Sequence, residues 1–435
     1  MRRIPAWAAS ALCAVSVALL VLRLREGLEA LHKPQLLTMA PNAVLPPIPG
    51  LPGDDRSAVR SQWLAALRAR RRLGPRPNAV DLIAYARQAR DAGDLISARQ
   101  ALRRALHENP NADLTAYGDL GSVEILLGLY GEALQTYRKL QTLAPGEAMG
   151  YIGESRALYA AAFGTEGPSL RVLRRGAAAL DAGNVGGHLG LSEEFDTLFD
   201  YPDALAEAEK ARRAAPEEPG VLLSLCTLLL QMHRPAEAEP FLKELLAQHP
   251  DLARAHTLIA DALDDPSRPR NRALAEHHYL SALELDPHDQ RALEHLGRMY
   301  LEERRLRPAL YIYTLLARER PDDGSVRMAL AQGYAQLMNE AVARQQRILA
   351  AQLIAARNAR AALTTRRDHE PHNPSIRTAL AKRLAGDGRF RDALIEAQAA
   401  VMLAPRSLEA RQTLRDLCAR IGIPVPTDLG AEAGR

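Results

Sequence analysis

The chain has 435 residues, with 56 Lys or Arg against 52 Asp or Glu, a net charge of +4, and only 4% aromatic residues. Three scattered cysteines exclude a disulfide-stapled fold, and no continuous basic stripe supports nucleic-acid binding. The charge is uneven: residues 1–76 hold 12 basic residues against 4 acids, leaving 44 against 48 for the remainder. Only Lys33, Lys139, Lys210, Lys243 and Lys382 are lysines, so arginine supplies most of the positive charge, a bias expected of a GC-rich bacterial genome.

Met1-Arg2-Arg3 precedes Ile4 to Leu22, nineteen residues without a charge. As a helix this run is about 28 Å long, enough to cross a bilayer. It passes straight into Arg23-Leu24-Arg25 with no small-x-small cleavage site, so residues 1–25 are expected to be an uncleaved, single-pass anchor rather than a signal peptide. A very short N-terminal tail favours the inside, which places the rest of the chain in the periplasm of a bacterial inner membrane. Residues 26–53 form a linker whose stretch 34–53 holds six prolines and no charge, an extended spacer. Residues 54–76 read as an amphipathic basic helix, with Val59, Trp63, Leu64 and Leu67 on one side and Arg68, Arg70, Arg71 and Arg72 at its end. Such a helix either caps the first repeat, its arginines complementing the helix dipole, or lies on anionic lipid or an acidic partner.

From residue 77 the apolar pattern is helical and repeats. Gln290 to Pro321 shows it best: Leu293, Leu296, Gly297 and Tyr300 fall on one helix, Ala309, Leu310, Tyr313 and Leu316 on a second, and Pro321 closes the pair. The closing proline recurs as Pro110, Pro145, Pro216, Pro250, Pro287, Pro321, Pro371 and Pro405, mostly 34 or 35 residues apart. Twelve residues before each, a small residue recurs as Ala98, Ala133, Ala204, Ala238, Ala275, Ala309, Ala359 and Ala393. Leu170 breaks the series, in a degenerate repeat over 148–182. The order Leu293-x-x-Leu296-Gly297-x-x-Tyr300, Ala309-x-x-x-Tyr313, Pro321 resembles the tetratricopeptide repeat. That resemblance implies an all-α, right-handed superhelical solenoid of about nine repeats over 77–405, followed by a capping helix over 406–421 and a flexible tail over 422–435.

Between Pro321 and Pro371 the period is exceeded by 16 residues, and counting forward gives a crossing alanine at Ala343 while counting back gives Ala359. One long second helix from about Glu340 to Arg367 satisfies both counts. It would project four to five turns beyond its neighbours, either as a surface helix whose extra apolar residues pack back on the array or as a basic arm carrying Arg344, Arg347, Arg357 and Arg360 that docks a partner or an anionic surface.

No glycine-rich phosphate loop, GxSxG, HExxH or paired CxxC is present, so no catalytic, cofactor or metal residues are expected. The adjacent His277-His278 point to different helix faces, and no enzyme is visible. The resemblance implies a concave groove lined by the first helix of each repeat. Its inward positions are Glu193, Asp196, Thr227, Gln231, Asp261, Asp264, Asp265, Arg298 and Glu302. The ninth positions are Arg87, Ser122, Glu193, Thr227, Asp261, Arg298, Gln332 and Lys382, which lack the family's Asn and Lys clamp for a terminal carboxylate. The acidic middle suggests a basic or polar partner. The expected function is a membrane-tethered scaffold for other proteins in a bacterial envelope, export or secretion complex. The alternative is an accessory subunit binding a carbohydrate or lipid-linked substrate in the groove.

Overall fold

The computed structural model describes residues 53–74, 76–110, 113–162, 166–264 and 269–426. The expected anchor and most of the linker lie outside these residues, as do Asp265 and the last nine positions. Among the described residues there are twenty helices and no strand, and no helix is long and apolar enough to cross a membrane. Helix α1 (Arg56–Arg72) comes first. Nine successive pairs follow: α2 (Ala79–Asp91) and α3 (Leu95–Glu108), α4 (Thr115–Leu126) and α5 (Tyr130–Leu143), α6 (Ala148–Ala161) and α7 (Glu166–Ala179), α8 (Val185–Thr197) and α9 (Tyr201–Ala214), α10 (Pro219–Gln231) and α11 (Pro235–Gln248), α12 (Ala253–Leu263) and α13 (Pro269–Leu285), α14 (Gln290–Glu302) and α15 (Leu306–Glu319), α16 (Gly324–Gln336) and α17 (Glu340–His369), α18 (Pro374–Gly386) and α19 (Phe390–Leu403). Helix α20 (Leu408–Ile421) ends the series.

Many of these helices begin at a side-chain cap. Asn78, Asp94, Asn184, Asp200, Asp289, Asp323, Asn373 and Ser407 each accept a hydrogen bond from a backbone N–H of the first turn, satisfying a donor the helix itself cannot. Within the pairs, Ala98, Ala133, Ala204, Ala238, Ala275, Ala309 and Ala393 are all 0% exposed, because a larger side chain there would hold the helices apart. Opposite Ala309, a Cβ on Gly297 would meet Ile312 Cγ2 at 3.1 Å and the Tyr313 ring at 3.2 Å.

Two irregular repeats resolve differently. Where Leu170 breaks the alanine series, the neighbouring Ser169 fills the buried slot and donates its Oγ to the Ser155 carbonyl at 3.1 Å. The buried slot therefore falls one residue earlier than the repeat count places it. The over-long segment is one helix of 30 residues, α17, in which Ala343 is buried and Ala359 exposed, so the forward count sets the crossing. It is not a free arm, since both its ends are packed. Gln346 and Ala350 are buried in its first half, where Arg327 donates to Gln346 at 3.5 Å. In its second half Leu363 packs on the core formed by α18 to α20, Arg360 pairs with Asp387 at 2.7 Å and Arg367 with Glu396 at 2.6 Å.

The contacts gather into two compact units rather than one run of equivalent neighbours. One spans Pro235–Leu353; the other combines Pro52–Arg234 with Ile354–Arg435, so it contains both the first and the last repeats. Within this second unit, helix α1 joins the first repeat to the last. Its Val59 and Trp63 enter one apolar core with Leu380, Phe390, Leu394, Leu414 and Leu417, while Ala69 and Leu73 pack on the core of the first two repeats. The expected cap of the first repeat is therefore equally a cover for the last. Polar groups fasten the junction. Asp55 accepts from the backbone N–H of Phe390 at 2.6 Å and of Arg391 at 3.2 Å, acting as the side-chain cap of α19 from 335 residues away. Gln398, fully buried, accepts from Ile96 N–H at 3.2 Å and donates to the Gly93 carbonyl at 2.6 Å. Arg377 donates to the Tyr130 hydroxyl at 2.9 Å and to Glu396 at 3.0 Å.

Candidate functional site

The inner face of the Pro235–Leu353 unit carries Asp261 and Asp264 at the end of α12 and Arg298 and Glu302 on α14. Asp261 is nearly buried and receives Arg291 at 2.5 Å, His295 at 2.6 Å and the Tyr279 hydroxyl at 2.7 Å. Burial and the neighbouring Asp261 carboxylate together hold the Tyr279 hydroxyl protonated, well above its ordinary range. Asp264 receives Arg298 at 2.7 Å, Arg298 reaches Glu302 at 3.4 Å, and Glu302 receives Arg272 at 2.5 Å. Acids and arginines thus alternate in a ladder across successive helices. The acidity that suggested a basic partner is already met by the chain's own guanidinium groups, leaving little net field at these positions.

Beside this ladder, Arg298, Glu302, Met328, Gln332, Gln336 and Arg347 line a groove of about 780 Å³, with Leu301 and Tyr313 beneath. Gln332 and Gln336 are exposed one turn apart on α16 and hydrogen-bond to no described residue; Met328 is 46% exposed. Arg347, assigned to the basic arm, lies in this groove and pairs with Glu340 at 2.6 Å. Arg344 and Arg357 are exposed on α17, and Arg360 is spent on Asp387. Elsewhere in the unit, the Nδ1 atoms of His256 and His278 lie 3.0 Å apart, and burial first, then the other histidines, pushes His278 down to about 4.

The second unit has its own inner groove, about 490 Å³, in which Arg87, Ser122, Arg156 and Glu193 come from four successive repeats. Arg87 reaches Asp119 at 2.7 Å and Arg156 reaches Glu194 at 2.8 Å, whereas Glu193 is exposed. The floor is glycine. A Cβ on Gly121 or Gly153 would strike the buried Tyr137 ring at 2.4 or 2.0 Å, so the absence of side chains there lets the ring pass between α4 and α6. Tyr137 ends at Ser122 Oγ, 3.2 Å away. Arg156 went unrecognised from the sequence because its repeat is the degenerate one; counting 34 residues on from Ser122, the spacing that separates Tyr117 from Tyr151, would have found it. Further along, Gln231, with its amide nitrogen turned toward Asp196, donates to that carboxylate at 3.2 Å. Burial raises Asp196 above the usual carboxylate range. Thr227 turns back to the Leu223 carbonyl at 2.7 Å. Of the expected groove residues, Arg298 and Glu302 therefore share one groove and Glu193 lies in another. Asp196 and Gln231 pair with each other.

Helix pairs stacked about small crossing residues, with polar side chains collected on the inner helices, define a helical-repeat protein. Residues 198–262 match the family model described as Tetratricopeptide repeat, so the chain carries tetratricopeptide-repeat sequence over that stretch. Over 88 residues it is 33% identical to Protein O-mannosyl-transferase Tmtc3 of Drosophila melanogaster, covering 20% of this chain and 9% of that one. The chain thus spans about a tenth of the length of this curated relative. Among solved structures it is similar to a human IFIT1 dimer with m7Gppp-AAAA, at 15% identity over 81% of this chain and 96% of that chain, with a TM-score of 0.40. It is also similar to pilF of Pseudomonas aeruginosa, at 20% identity over 48% and 92%, with a TM-score of 0.36.

Proposed function

We propose that the protein is a non-enzymatic scaffold whose inner grooves hold extended segments of partner proteins, and that Ile4 to Leu22 tethers it to a bacterial inner membrane, where it serves an envelope, export or secretion complex. Tetratricopeptide repeats are interaction modules, and the observation that supports a peptide ligand is the groove over α14 and α16. There Gln332 and Gln336 offer amide donors and acceptors that no described residue takes, next to the half-exposed Met328. Amides one turn apart can pair with the backbone of an extended peptide while Met328 adapts to its side chains. A carbohydrate ligand finds no such support, because the tyrosines of the two grooves, Tyr137 and Tyr313, are buried and present no ring face for stacking.

A photo-crosslinking residue at Gln332 is expected to capture a discrete protein from intact cells, and one at Arg318 on the outer helix is not. Equal capture at both positions would remove the groove as the binding face. The tether is tested separately. Val15→Arg costs about 2.5–3.5 kcal/mol of insertion at a helix centre and is expected to release the protein from membranes. Wild-type protein that washes off in carbonate would end the tether reading and leave the groove reading standing.

A further inference from the structure

Helix α1 presents two unlike faces. Val59, Trp63 and Ala66 are buried in the junction between the last and first repeats. On the opposite side, at 100° per residue, Arg68, Arg71 and Arg72 lie exposed within about a quarter turn of one another. Arg70 is exposed at the helix end beside Arg104, which is itself held by Glu108 at 2.8 Å. None of Arg68, Arg70, Arg71 and Arg72 forms an ion pair with a described residue. Elsewhere in this unit, arginines as exposed as Arg138, Arg156 and Arg174 have carboxylates at 2.6–2.8 Å. The carboxylate near the outer face of α1 is Asp81, which shares a cleft with Arg68 and Arg72 but makes no ion pair with them. A helix C-terminus offers about half a negative charge, which one arginine answers, so most of this charge finds no partner among the described residues.

We propose that the outer face of α1 docks on anionic phospholipid headgroups of the membrane, holding the junction of first and last repeats close to the bilayer. The proposal deepens the tether reading above and rests on it. Helix α1 is the first described element after the uncharged, proline-rich spacer that follows Ile4 to Leu22, so a tethered chain presents this face to the bilayer at high effective concentration. Each arginine near a surface of anionic lipid contributes roughly fivefold to the docked population, and the attraction fades within a Debye length. Three or four unpaired arginines therefore suffice for reversible, salt-sensitive docking without insertion of apolar side chains.

The test uses the full-length protein carrying a donor dye at Ser61→Cys on the outer face of α1, reconstituted in vesicles with acceptor-labelled headgroups. Energy transfer is expected to be high in vesicles containing about a third phosphatidylglycerol. It should fall at least tenfold in the docked fraction in phosphatidylcholine alone, in 0.5 M NaCl, or in the triple variant R68Q/R71Q/R72Q. Equal transfer in anionic and neutral vesicles, or no change in the triple variant, overturns the proposal. A triple variant that keeps lipid-dependent transfer but loses a co-purifying acidic protein would assign the face to that protein and equally overturn it. Carbonate extraction of the same vesicles reports the anchor alone. Protein that washes off in carbonate, yet floats with anionic and not neutral vesicles in low salt, would show that the tether reading fails while the arginine face holds.

Discussion

Two helices in this chain are conspicuously basic, and the structure treats them in opposite ways. The sequence of helix α17 allowed either a docking arm or a helix packed back on the array, and Arg347, Arg360 and Arg367 are answered by Glu340, Asp387 and Glu396. The sequence of helix α1 allowed either a cap or a docking face, and the helix leaves four of its arginines without a described carboxylate while its other face closes a core. A run of arginines therefore reports the charge a helix carries and says nothing of the charge it has left over. What decides the matter is whether acids arrive on neighbouring helices, and those acids lie 27 to 29 residues away in the case of Arg360 and Arg367.

The contrast is sharpest at the inner face of α1. Trp63→Ala would empty a site 1% exposed between the last and first repeats, and is expected to cost about 3–5 kcal/mol in urea unfolding. A loss below about 1 kcal/mol would mean that α1 is a surface appendage and that the comparison fails. Next comes the buried pairing that α17 shares. Arg377→Leu would strip Glu396 of one of its two arginines and is expected to cost about 3 kcal/mol, at the low end for a broken buried pair because Arg367 remains. Arg344→Gln and Arg357→Gln, at exposed positions of α17, should leave the urea midpoint in place.

A buried acid poorly served by arginine gives a smaller, pH-dependent effect. Glu124 is raised to about 7 from 4.5, first by burial, with the Thr136 hydroxyl at 2.7 Å and Arg99 at 3.8 Å opposing. Arg99 reaches Glu132 more closely. In the unfolded chain Glu124 ionises near 4.5, so below that pH both states are neutral and the shift has no effect, whereas above about 7 the fold carries a buried carboxylate. Glu124→Gln is therefore expected to raise stability by about 1–3 kcal/mol at pH 8 and to change little at pH 4. A midpoint shift of the same size at both values would remove the burial argument.

Smaller still are the turns. Phe199 and Met338 occupy the left-handed conformation, φ 58° in each, at the hairpin position where other repeats have Gly93, Gly128 and Gly388. Replacing either by Gly should relieve strain and stabilise by up to about 1 kcal/mol, part of the relief being offset by glycine's entropy. At the bottom of the scale, R68Q/R71Q/R72Q is expected to change the free energy of urea unfolding by no more than about 0.5 kcal/mol.

Much of the repeat architecture was legible because it depends on residues near in sequence. Crossing alanines and closing prolines mark most of the helix pairs, and the single helix α17 followed from the lack of Gly or Pro between Gly333 and Pro371. Position within the repeat also found Arg87, Ser122 and Glu193, which do share a groove. What the sequence withheld was pairing between distant polar groups. Nothing local to Asp55, Gln398 or Arg377 marks it as part of a junction rather than a solvated surface. The ladder of Asp264, Arg298, Glu302 and Arg272 reads as an acidic groove until the arginines of the following helices are seen beside it.

The junction also fixes the order of events during synthesis. Asp55 caps a helix that begins 335 residues later, so at 5–20 residues per second the partner of α1 emerges tens of seconds after α1 itself. Throughout that interval Val59 and Trp63 have nothing from the last repeat to cover them, and the nascent chain carries an adhesive apolar face near its start. A chain interrupted before residue 390 keeps that face uncovered, and it is expected to be held by chaperones and degraded faster than the finished protein.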